Sequence, residues 1–141
     1  IMGSYLPERS AWDVVAIDDD TASIGVVGVI FEFAGIGYRS ATDGQQGLAL
    51  LRERKPNLVL LDLQMADFDG YQVLKTIRED AALADLVVIA LTAHAKPEDR
   101  ESVLRAGFDG YLTKPIAALT FLDEIPTCLQ VFEKERQYAE R

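Results

Sequence analysis

The chain predicts an open α/β fold, a parallel sheet covered by helices on both faces. Short apolar runs alternate five times with helical stretches, which argues for successive β-to-α steps. Several of these runs are continuously apolar, as strands buried on both faces must be. Four of the five end abruptly in a polar side chain, at Asp18, Asp62, Thr92 and Lys114. With 141 residues, 49% of them hydrophobic, the chain suits one domain with a substantial core.

The first strand is expected over residues 12–17, where apolar and β-branched residues run into three carboxylates, Asp18, Asp19 and Asp20. Residues 21–34 follow with Ile24, Val27, Ile30, Phe31 and Ala34 at helical spacing, and Gly35 can close that helix. Gly25 and Gly28 weaken it by about 1 kcal/mol each relative to Ala, so packing against the sheet must hold it. A short strand over 38–41, a helix over 44–53 and an apolar strand over 58–61 ending at Asp62 come next. An amphipathic helix over 70–79, a strand over 86–91 ending at Thr92, a helix from Pro97 to Ala106 closed by Gly107, and a strand over 110–113 ending at Lys114 continue the alternation. The last helix begins near Thr120, a candidate N-cap, and carries Phe121, Leu122, Ile125, Leu129 and Phe132. Pro126 inside it removes one backbone hydrogen bond and crowds the preceding turn, which predicts a kink over 122–126. The domain is expected over residues 10–132, with 133–141 a charged tail that projects or frays, or the start of a linker.

Asp and Glu number 23 against 14 Lys and Arg, and the net charge of −9 repels phosphate backbones and anionic lipid heads. Direct nucleic-acid binding is therefore disfavoured. The most apolar window, residues 24–38, is broken by Glu32 and glycines and falls short of the ~20 residues a spanning helix needs, so no membrane insertion is expected. Cys128 is the only cysteine, which excludes an intrachain disulfide and fits a cytoplasmic location.

Ligands of open parallel sheets bind outside the carboxyl ends of the strands, so the residues there are the candidates for chemistry. Several carboxylates converging on one crevice repel one another unless a cation compensates, and an all-oxygen set with room for water suits Mg²⁺. Asp20 or Thr21 is the candidate cap of the following helix, where negative charge is favoured. Asp62 can act as a nucleophile toward a phosphoryl donor, with the Thr92 hydroxyl and the Lys114 ammonium neutralising the transferred group. Alone, a strand-end Thr is ordinarily a structural hydrogen-bonder and a Lys a solvated surface charge; their joint placement points to a site.

Asp18-Asp19, Asp62 within Leu-Leu-Asp-Leu-Gln-Met, Thr92-Ala93 and Lys114-Pro115 resemble the signature of response-regulator receiver domains, and the resemblance covers residues 12–130. It implies the flavodoxin-like, doubly wound five-stranded sheet of strand order 2-1-3-4-5. Asp62 then resembles the phospho-acceptor, fed by a histidine kinase or histidine phosphotransfer protein in two-component signalling. Asp19 resembles the direct ligand of Mg²⁺ (or Mn²⁺), Asp18 one acting mainly through water, and the backbone carbonyl of Gln64 the completing donor, with Asp62 itself in the shell. Thr92 resembles the switch hydroxyl and Tyr111 the aromatic that follows it inward. Lys114 would pair with the phosphoryl oxygens, and the Lys114-Pro115 bond would be cis. No enzyme activity is implied beyond metal-dependent self-phosphorylation and self-dephosphorylation. The partners implied downstream are a protein target or a fused output domain, and a homodimer is compatible with the family.

The sequence departs from the common pattern at Ala66 and Asp67, where Pro and Gly are frequent, so that loop is expected to be looser or differently shaped. Gln64 and His94, two residues beyond Asp62 and Thr92, occupy positions that tune the lifetime of the phosphorylated state in receivers. A dinucleotide fold is disfavoured because carboxylates, not glycines, follow the first strand. A phosphatase with an aspartyl nucleophile needs a general acid and a cap; Gln64 stands where the acid would be, and no insertion supplies a cap. The remaining alternative is a receiver module of a larger regulator or hybrid kinase. A stand-alone regulator would signal through the face formed by residues 97–106, 110–113 and the terminal helix.

Overall fold

In the computed structural model, which describes residues 6–93 and 96–139, the apolar runs form five parallel strands: β1 (Asp13–Ile17), β2 (Gly37–Ala41), β3 (Leu58–Asp62), β4 (Val87–Thr92) and β5 (Gly110–Thr113). Their order is β2-β1-β3-β4-β5, the flavodoxin-like arrangement expected. Every residue of β3 and β4 is buried, which is why those segments read as unbroken apolar runs. β2 lies at an edge and keeps only Ala41 buried.

Five helices connect and follow the strands: α1 (Thr21–Phe33), α2 (Gly44–Glu53), α3 (Gly70–Glu79), α4 (Pro97–Ala106) and α5 (Phe121–Ala139). Alternate side chains of the central strands feed two cores. Val14, Ala16, Leu58 and Leu60 face α1 and α5, meeting Val27, Phe31, Phe121 and Ile125. Val15, Ile17, Val59 and Leu61 face the other layer, meeting Leu48 and Leu51 of α2, Leu74 and Ile77 of α3 and Val103 of α4.

The capping chemistry agrees with the sequence at α1, where Asp20 accepts from the backbone N–H of Ala22 at 3.0 Å and of Ser23 at 3.4 Å. Ala34 is the C-cap and Gly35 takes the left-handed φ of 72° just beyond it. Thr120 precedes α5, its carbonyl accepts the helical bond from Glu124 N, and its hydroxyl donates to the Glu124 carboxylate.

One expectation needs correction. Residues 133–139 do not fray: α5 continues to Ala139, with Glu135 and Arg136 finding partners on and beside α4 and residues 137–139 exposed. Pro126 lies inside α5, and the Leu122 carbonyl that it leaves without its helical donor accepts from Arg9 Nη2 at 3.2 Å. Arg9 reaches it from a short 3-10 turn, Arg9–Ala11, ahead of β1, and pairs with Asp123 at 2.9 Å.

Candidate functional site

Backbone bonds at the strand ends assemble the site. The N–H of Asp18 donates to Ala41 O at 3.1 Å, that of Leu63 to Leu91 O at 3.0 Å, and that of Lys114 to Thr92 O at 2.8 Å. Ile17 pairs with Leu61, Asp62 with Leu91 and Thr92 with Thr113, so the strand registers deliver Asp18, Asp62, Thr92 and Lys114 side by side. The loop after β3 folds back tightly. A Cβ on Gly70 would stand 2.4 Å from Asp62 O and 2.9 Å from Leu63 Cα, so only glycine lets α3 begin this close to the acceptor strand. That requirement was invisible in the sequence, where Gly70 reads as a turn residue.

Asp18, Asp62 and Thr92 are the buried polar residues of the described chain, at 1%, 2% and 0% exposure. Asp19 is exposed at the rim. One carboxylate oxygen from each of Asp18, Asp19 and Asp62 falls within a mutual distance of 4.8 Å. Asp18 Oδ1 accepts from Asp20 N at 2.9 Å, and Asp62 Oδ1 accepts from Gln64 N at 3.1 Å. Lys114 leans toward Asp18, with Nζ 2.9 Å from its Oδ2 and 3.8 Å from Asp62 Oδ1. The closer contact is an ion pair that sets the Lys114 ammonium against the buried Asp18 Oδ2.

This inventory fits a hard divalent cation. Three carboxylates converge with one ammonium beside two of them, and a divalent cation would balance the excess negative charge. Burial first, and then the neighbouring Asp18 carboxylate, push the Asp62 carboxyl up to about 7. Burial works to lower the Lys114 ammonium, but the carboxylates of Asp18 and Asp62 outweigh it and hold its pKa above the ordinary value.

Thr92 stands at the end of β4 with its hydroxyl accepting from Gln64 Nε2 at 3.1 Å, a link between two site residues that the sequence placed 28 positions apart without pairing them. Tyr111 lies farther out, half-buried on the α4–α5 side, its ring stacked on Phe132. The structure therefore brings Asp18, Asp19, Asp62, Gln64, Thr92 and Lys114 together and leaves Tyr111 outside that group. His94 lies outside the described residues. The Lys114-Pro115 bond is cis. At the departure from the common pattern, Asp67 takes a left-handed φ of 63°, the conformation glycine adopts most readily.

Comparisons with known proteins agree with this geometry. A family model described as the response regulator receiver domain matches residues 14–125. The chain is 30% identical over 116 residues to the polar-differentiation response regulator DivK of Brucella anthropi, covering 82% of this chain and 94% of that protein. It is 34% identical over 126 residues to the DNA-binding dual master transcriptional regulator RpaA of a Synechocystis strain, covering 89% of this chain but 52% of RpaA. Its fold is that of the chemotaxis protein CheY4 of Vibrio cholerae, with a TM-score of 0.78, 24% identity, and coverage of 84% of this chain and 99% of that one.

Proposed function

This chain belongs to the response regulator receiver family, and on that premise we propose that Asp62 accepts a phosphoryl group from a phosphohistidine of a histidine kinase or histidine phosphotransfer protein. The observation that carries the reading is the convergence on buried Asp62 of a carboxylate pair, a lysine and a threonine hydroxyl from three other strands.

An Asp62 oxygen attacks phosphorus, the P–N bond to the donor imidazole breaks, and its electron pair stays on the imidazole nitrogen. Asp62 must be ionised to attack, and Lys114 at 3.8 Å favours that form. The Lys114 ammonium and the Thr92 hydroxyl then face the transferred oxygens. Asp18, Asp19, Asp62 and the Gln64 carbonyl would hold Mg²⁺ or Mn²⁺, which would supply positive charge to offset both the clustered carboxylates and the phosphoryl oxygens. Thr92 exchanges its Gln64 contact for the phosphoryl group, Tyr111 moves inward behind it, and the new arrangement changes what the α4-β5-α5 face binds.

Receiver domains act with histidine kinases and output domains, and this chain is a protein-borne phosphate carrier and switch, not a catalyst that turns over an external ester. Its work is cytoplasmic, and its target is a separate protein, a second copy or a fused output domain. The chain spans 52% of RpaA and 94% of DivK. Among the described residues no helix is long and apolar enough to cross a membrane.

The test is intact mass after incubation with acetyl phosphate, with and without Mg²⁺, for the wild type and Asp62→Asn. Gain of one phosphoryl group by the wild type alone, and only with metal, is expected. Gain by the variant, or none by the folded wild type, overturns the assignment.

A further inference from the structure

α2 meets the site end of the sheet through two positions without side chains. Gly44 and Gly47 lie about one turn apart on α2, and both are buried. A Cβ on Gly47 would stand 2.4 Å from Cδ1 of Ile17, the last residue of β1, so α2 rests directly on the strand that delivers Asp18. A Cβ on Gly44 would stand 2.4 Å from Cδ2 of the Phe68 ring and 2.7 Å from Cγ2 of Val73 on α3. Phe68 belongs to the segment 63–69 that leads from Asp62 to α3, and its half-buried ring packs on the core beneath α2 and α3. The backbone ahead of it takes an uncommon shape: the N–H of Phe68 donates to Ala66 O at 2.7 Å, closing a three-residue turn around Asp67 at φ 63°. In a residue other than glycine such a turn persists only where its surroundings over-determine it. Met65 is buried and Phe68 half-buried against that core, while Gln64, Ala66 and Asp67 are exposed.

We propose that Phe68, seated on Gly44, is a positioning residue for the metal: the contact clasps the segment after the acceptor to α2 and thereby fixes the Gln64 carbonyl relative to Asp18 and Asp19. This rests on the reading of Asp18, Asp19, Asp62 and the Gln64 carbonyl as the metal's donors and goes beyond it. Those donors come from two stretches of chain, the end of β1 and the end of β3 with the turn after it. α2 touches both, Ile17 at Gly47 and Phe68 at Gly44, and so gauges the distance between them. Neither Ala66 nor Asp67 restricts the backbone as proline would, so the ring supplies from outside the restraint that the segment's own residues lack. A small octahedral ion tolerates little error in donor position, and supports outside the donor shell ordinarily carry roughly 10- to 100-fold in metal affinity.

The experiment titrates the full chain with Mn²⁺, reading the free ion by electron paramagnetic resonance, and measures urea unfolding of the metal-free protein beside it. The variants are Phe68→Ala; Phe68→Leu, which keeps an apolar side chain over Gly44; Gly44→Ala, whose methyl displaces the ring; and Leu50→Ala, which trims a partly buried side chain of the same core farther along α2. Phe68→Ala and Gly44→Ala should each weaken Mn²⁺ binding about tenfold, and Phe68→Leu should recover most of the loss. Leu50→Ala should lower stability while keeping the wild-type Kd. Gly44→Ala added to Phe68→Ala should weaken binding little further, because the ring it displaces is already gone. A wild-type Kd in Phe68→Ala or in Gly44→Ala, or an equal loss in Leu50→Ala, overturns the clasp and leaves the metal site standing. A folded wild type that binds no Mn²⁺ overturns the metal site and the clasp with it.

Discussion

At the amino end of the sheet, Arg78 donates to Ala84 O, Leu86 O, Gly107 O and Asp109 Oδ2, and the same Asp109 oxygen accepts from Val88 N. At the carboxyl end, the Asp18, Asp19 and Asp62 carboxylates converge, and one ammonium, that of Lys114, lies against Asp18 and Asp62. Both clusters take charge out of water, yet the first is saturated with partners and the second is left short of positive charge. A buried ion pair surrounded by donors and acceptors fastens elements together, whereas spare acceptor capacity at a strand end costs stability and is what a metal and a phosphoryl group can use.

The sharpest way to break this comparison is to remove one member at each end. Arg78→Ala removes the guanidinium partner of Asp109 and a donor to three carbonyls, and the loss expected in urea unfolding is about 3 kcal/mol. If Arg78→Ala unfolds with the wild-type midpoint, the saturated cluster contributes nothing and the contrast collapses. Asp62→Asn should act in the opposite direction, stabilising the metal-free protein at pH 7 by on the order of 2 kcal/mol while abolishing phosphorylation.

The pH dependence follows from the same carboxyl. Its pKa is raised in the folded state to about 7, against about 3.9 when unfolded, so between those values the native state holds a proton that unfolding releases. Without metal its contribution is therefore unfavourable and grows as pH rises from about 4 to about 7. Subtracting the Asp62→Asn stability profile from the wild type isolates this slope from the exposed carboxylates; a flat difference across that window would falsify the assignment.

Divalent metal should offset the deficit. At tenfold excess over its Kd, Mg²⁺ adds about 1.4 kcal/mol by mass action, read as a rise in Tm that shrinks in Asp62→Asn. The smallest effect concerns the backbone beside the site, where Asp67→Gly relieves a left-handed φ of 63° and should stabilise by about 0.5 kcal/mol in the same unfolding assay. A loss in that variant would mean that the Asp67 side chain makes a compensating contact.

Much of the candidate site was legible because its residues announce themselves locally. A carboxylate, a threonine or a lysine that ends an apolar strand is conspicuous in sequence, and parallel registers must bring such ends together. Asp20 as a cap was legible for the same local reason. Gly70 was not, since its role depends on how closely α3 approaches Asp62. Nor was the preference of Lys114 for Asp18 over Asp62, which is a matter of ångströms between three side chains.

The sequence by itself determined the alternation of strands and helices, the burial of β3 and β4, and the end of the sheet at which chemistry lies. These follow from hydrophobic period, caps and chain punctuation, all short-range. The pattern within residues 133–141 pointed to a solvated tail, because Glu135 and Arg136 look like surface charges until α4 is beside them. Arg9 and Leu122, 113 positions apart, and Arg78 and Asp109, 31 apart, are likewise joined only by the fold. Tertiary structure decided these pairings because a charged side chain takes whichever partner the packed backbones place within about 3 Å, and no local pattern encodes that distance.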